Sequence, residues 1–205
     1  MTTGTTDIYG IHPDPELNRL IASHEFPHQG QDPRHACAVF VGLDANYSGV
    51  LTEHAAFMPF ILDYHRDGVG FWQQHGVHHP FLLDQYPLPK NTGGVPYHRK
   101  ISRMGLSPDY ADNVSFIELL PCATTGRTEE SLFWDMFDRE HALKIDALVA
   151  SRAHRLIIIS SSVRSKVLRH FKAHMTNSNP CCLAARRSNV AVMSHPADSC
   201  ARAIK

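Results

Sequence analysis

The sequence predicts a single three-layer α/β domain, with a central four-stranded parallel sheet flanked by helices. Four short apolar runs lack the alternation of a half-exposed strand, so each reads as a strand buried on both faces. Stretches of helical spacing separate them, which calls for right-handed crossovers between parallel strands. The 205 residues suit one domain with a sizeable core.

Asp14 followed by Pro15 supplies an N-cap and a proline at the first helical position, for a helix over 15–23. The rest of 1–35 is polar and reads as an extension preceding a domain over 36–205. The first strand is expected at 36–42, ending in glycine. Apolar residues at helical spacing over 53–66 predict a helix that stops before Gly68. The segment 69–94, with several Gly, Pro and His, reads as a long loop. A short basic helix follows over 95–104, closed by Gly105, and a second strand over 113–120, ended by Pro121. Helical patterning covers 129–150. A third strand occupies 155–160, and Ser161 or Ser162 caps a basic helix to 174. The fourth strand is 189–193, before a short terminal helix.

Hydrophobic residues at 43% and charged residues at 20% exclude a disordered or fibrous chain. No apolar run approaches the roughly 20 residues of a membrane span, and the first residues lack the pattern of a secretory leader. A soluble, cytoplasmic, monomeric protein is expected. The five cysteines are scattered without a CxxC pair, which argues against a disulfide framework or a cluster. The net charge of zero hides an asymmetry: 10 Lys/Arg against 19 Asp/Glu in 1–150, then 10 against one in 151–205. A basic third suits a polyanion; it equally suits a basic helix balanced by acidic neighbours in the fold.

A parallel sheet binds ligands at the carboxyl ends of its strands. The informative loops are therefore 42–52, 120–128, 160–163 and 194–199. Asp44, two residues past the first strand, could orient a water or face positive charge on a sugar, or simply form a turn. His195, held by Pro196 after the fourth strand, could donate to a developing anion, or lie in a surface turn.

In this order, Gly42-Leu-Asp-Ala-Asn46, Glu118-Leu-Leu-Pro-Cys-Ala-Thr-Thr125 and His195-Pro-Ala-Asp-Ser199 resemble the motifs of the uracil-DNA glycosylase superfamily, in its mismatch-specific branch. The resemblance covers about 36–200. It implies a DNA N-glycosylase of base excision repair that uses no metal or other cofactor. The departure at Ser199, where relatives place a bulky wedge, favours single-stranded or locally opened DNA, or a small nucleoside, over an intact duplex. Asp44 would then activate water or stabilise the sugar cation, and His195 would stabilise negative charge on the departing base. Asn46 and Tyr47 would lie at the base. Phe57, with Phe60 as competitor, would stack on it; both also suit core packing. Glu118 stands where relatives read the base edge. An ionised Glu118 would repel the O4 of uracil and favour an amino-bearing base; a neutral one in a dry pocket, or one paired with an arginine, is the alternative. Ala45 replaces a usual proline.

For phosphate contact the candidates are Arg127, with the hydroxyls of Thr124 and Thr125, and Arg164, Lys166 and Arg169 on the basic helix. Two other function classes are open. One is a non-catalytic nucleic-acid-binding relative. The other is a metal-dependent hydrolase built on His75, His78 and His79, with His65, His98 and Asp84.

Overall fold

The computed structural model describes residues 8–91, 93–151, 155–174 and 190–193. The chain opens with β1 (Gly10–Ile11) and α1 (Pro15–Ala22), whose Asp14 cap accepts from the Leu17 amide at 2.8 Å. β2 (Gln29–Gly30), β3 (Ala38–Gly42) and β4 (Ala45–Asn46) follow, then α2 (Met58–Arg66), α3 (Gly68–His75) and α4 (Val95–Ser102). Next come β5 (Val114–Glu118), β6 (Ala123–Thr125), α5 (Glu130–Asp135) and α6 (Arg139–Ser151). β7 (Leu156–Ser160), α7 (Ser161–His174) and β8 (Val190–Met193) complete the described elements.

The large sheet has the order β2-β5-β3-β7-β8. The four strands expected from sequence, β3, β5, β7 and β8, all run parallel. The sheet is nevertheless mixed, which corrects the purely parallel expectation: β2 pairs antiparallel with β5, Gln29 opposite Phe116. Two residues between polar flanks carry no periodicity, so only the tertiary pairing creates that strand. A second sheet, β1-β6-β4, is also mixed.

Strand alternation sends Val39, Val41, Ile117, Ile157 and Ile159 to one face, where Phe133, Ile145, Val149 and Val163 of α5, α6 and α7 cover them. Ala38, Phe40, Phe116 and Ile158 face the other way, against Trp72 of α3 and Ile101 of α4. The domain is thus three-layered. A third cluster joins α1 and α2 to the small sheet through Leu17, Ile61, Tyr47 and Ala123. Residues 8–30 are woven into both sheets and that core.

The segment 69–94 is not the long loop expected. Asp67 caps α3 by accepting from the Gly70 amide at 2.8 Å, and Gly76 ends it at φ +72°. Phe71 and Trp72 are buried between those punctuation marks. Cap and stop enclose only eight residues, so glycine content concealed a two-turn helix. The basic helix starts one or two residues earlier than a cap at Ser161 or Ser162 would place it, because Ser160 Oγ accepts from the Val163 amide at 3.2 Å. Among the described residues no helix is long and apolar enough to cross a membrane. The expected terminal helix lies outside the described residues.

Candidate functional site

The carboxyl ends of β3 and β5 lie side by side, with Gly42 and Glu118 partners in the parallel register. The chain leaving each strand enters the small sheet at once, Ala45 and Asn46 beside Ala123 and Thr124. Pairing of β1 with β6 brings Tyr9 to the same edge. Three segments remote in sequence therefore converge on Asp44.

Asp44 is half-buried. Its Oδ2 accepts from Thr124 Oγ1 at 2.6 Å, from the Tyr9 hydroxyl at 2.8 Å and from Asn46 Nδ2 at 3.4 Å. Asn46 Nδ2 also donates to Thr124 Oγ1 at 3.1 Å and to the Gly126 carbonyl at 3.0 Å. Thr124 thus accepts from Asn46 and donates to Asp44, which sets the direction of the network. Burial, with Asp44 beside it, pushes the Tyr9 phenol up and keeps it a donor. None of these bonds uses Oδ1. A carboxylate anchored through one oxygen keeps the other for a water or a cationic centre.

Glu118 leaves β5 on the same side of the sheet as Phe116 and lies over Gly42. A Cβ at Gly42 would overlap the Glu118 carboxyl, so the glycine makes room for this side chain in its present position. Glu118 Oε2 is buried with no hydrogen-bond partner among the described residues. Burial first, then the charge of Asp44, push the carboxyl well above the usual carboxylate range. Both causes act against the ionised form and favour the neutral acid. No ion pair among the described residues includes Glu118.

The other sequence candidates take different places. Tyr47 is buried, its hydroxyl 2.8 Å from His65 Nε2 and its ring against His79 and Phe81. Phe57 is 3% exposed, against Phe60 and Tyr86. Both rings fill the core behind the Asp44 loop, where a base would have to displace packed neighbours. Thr124 is fully buried and spends its hydroxyl on Asp44, which removes it from phosphate contact. Thr125 Oγ1 accepts from the Gly49 amide at 2.8 Å, tying the two loops together. Arg127 is exposed.

On α7, Arg169 pairs with Glu130 at 2.7 Å. Lys166 Nζ lies 4.0 Å from Glu130 and 4.7 Å above the Phe133 ring. The balanced-helix alternative describes these two residues; they tie α7 to α5. Arg164 is half-buried on the same helix. His195 and Ser199 lie outside the described residues.

The histidines do gather, but as packing. His65, His78, His79 and His98 are all buried. The rings of His79 and His98 stack at 3.5 Å, and His98 Nδ1 lies 3.3 Å from His78 Nε2. Burial drives His65 and His78 down to about 3. Asp84 is exposed, with Lys90 at 3.8 Å. Among the described residues no group of three His, Cys, Asp or Glu side chains is arranged to hold a metal ion.

Sequence reading found Asp44, Asn46 and Glu118 but missed Tyr9. A tyrosine in a polar stretch has no local pattern, and only the pairing of Gly10 with Thr125 brings it to the site. No protein-family model, no curated protein and no solved structure matches this chain.

Proposed function

We propose that this protein hydrolyses the N-glycosidic bond of a damaged or modified base in DNA, with the strand single or locally opened. The observation that carries the reading is Asp44, anchored through Oδ2 by three donors at the carboxyl edge of a parallel sheet. Breaking a glycosidic bond leaves positive charge on the sugar and negative charge on the base. A fixed carboxylate lowers the barrier on the first side, and a positioned donor lowers it on the second. Asp44 takes the sugar or water side. His195, in the motif that resembles the uracil-DNA glycosylase superfamily, takes the base side together with Glu118.

The environment of Glu118 changes the expected base choice. A neutral carboxyl both donates and accepts, so it has no charge with which to repel a ring carbonyl. Carbonyl-bearing bases such as uracil and hypoxanthine join the amino-bearing ones as candidate substrates.

The test is a panel of oligonucleotides carrying uracil, hypoxanthine or modified cytosines, single- and double-stranded. Released base and an alkali-labile abasic site are expected, and Asp44→Asn should slow the appearance of both by about 10²-fold or more. Retention of DNA without base release would identify a non-catalytic binding protein instead.

A further inference from the structure

Glu118, the second carboxyl of the site, is half-buried, and its Oε2 is buried and lacks a hydrogen-bond partner among the described residues. It lies against the one α-carbon in the strand that leaves room for it, and its strand neighbour leads within two residues to Asp44. An ionised carboxylate in that position would be desolvated, unpaired and repelled by Asp44. A neutral one escapes the charge-dependent part of these costs and carries a proton beside a fixed carboxylate. Two carboxyls whose surroundings hold one protonated and favour the other as an acceptor have the arrangement of an acid and base pair.

We propose that Glu118 is the general acid of this site, protonating the departing heterocycle while Asp44 directs the water. The inference rests on the glycosidic reading above. As the C1′–N bond breaks, its electron pair goes to the heterocycle, which takes the proton from the Glu118 O–H. The water oxygen bonds to C1′, and the water's proton passes to Asp44. Solvent then takes that proton and returns one to Glu118. One water is consumed, and the base leaves neutral. An acid in this place suits heterocycles that depart poorly as anions, because protonation removes the need for them to carry the charge.

Glu118→Gln keeps the shape and the donor but has no proton to transfer. The experiment compares probes that share an edge and differ in how well they depart: DNA containing uracil or 5-fluorouracil, and hypoxanthine or 8-azahypoxanthine. Glu118→Gln should slow release of the poorer leaving group of each pair by about 10²-fold, and of the better one by less than about tenfold. Equal losses within a pair would reduce Glu118 to a hydrogen-bonding contact and overturn the proposal. If Glu118→Gln does not fold, the wild-type protein decides: nearly level rates across each pair support the acid, and a steep fall for the poorer leaving group overturns it. Absence of release from every probe by the wild-type protein would instead defeat the glycosidic reading itself.

Discussion

The Tyr9 hydroxyl donates to Asp44 Oδ2 at 2.8 Å across 35 residues of sequence. The bond joins the residue just before β1, near the start of the described chain, to the loop after the first core strand. Its partner on the other side is Thr124, which reaches the same oxygen from β6. The carboxylate is therefore held by the assembled small sheet rather than by its own loop.

Tyr9→Phe keeps the buried ring and removes the hydroxyl. Base release should fall by about tenfold through kcat with KM little changed, since the residue positions Asp44 rather than touching DNA. Combined with Thr124→Val, the losses should not add, because both act on one oxygen. Single-turnover rates on the reactive oligonucleotide check both statements.

Asp44→Asn should lower the single-turnover rate by about 10²-fold or more, the size expected of a positioned general base. Affinity for the same oligonucleotide, measured by anisotropy, should stay within about threefold. Wild-type turnover in this variant would remove Asp44 from the mechanism.

Gly42→Ala drives a methyl group into the Glu118 carboxyl. Overpacking of this kind costs about 1–3 kcal/mol. Urea unfolding should show that loss, and shortening the opposing side chain with Glu118→Ser in the same chain should recover most of it. Equal stability of Gly42→Ala and wild type would mean that the carboxyl moves aside freely.

Acid stability follows from the buried histidines. Burial lowers His65 and His78 to about 3 and holds His79 and His98 well below the ordinary value. The unfolded chain therefore binds more protons in this window, and stability falls as pH drops from about 6.5 towards 3. Glu118 acts in the opposite sense: its raised carboxyl adds stability as pH falls towards the ordinary glutamate range. Four groups outweigh one. Thermal melts should show a falling Tm below pH 6.5, less steep in His78→Phe.

Lys166 and Arg164 should separate on α7. Lys166→Glu removes the cation above Phe133 and sets a second acid beside Glu130, so it should lower Tm. Arg164→Glu should leave Tm nearly unchanged and flatten the salt dependence of single-stranded DNA binding, by a slope of about 1. An unchanged salt slope would remove Arg164 from the DNA surface.

The four core strands and most of the helices were legible because each advertises itself locally. Val39, Phe40 and Val41 need no partner to read as a doubly buried strand, nor do Asp14 and Pro15 to read as a helix start. Asp44 and Glu118 were legible because a parallel sheet brings its strand ends to one edge. Strands β1, β2, β4 and β6, of two or three residues each, were not, since pairing rather than periodicity makes them. Helix α3 was hidden because its cap and its αL stop enclose only eight residues. The sequence by itself determined which carboxyls stand at the carboxyl edge of the parallel strands. Only the tertiary structure decided their surroundings, because Tyr9, Thr124 and Gly42 act through distance and burial: Asp44 is anchored by donors from two other segments, and the Oε2 of Glu118 is buried over a glycine on the neighbouring strand.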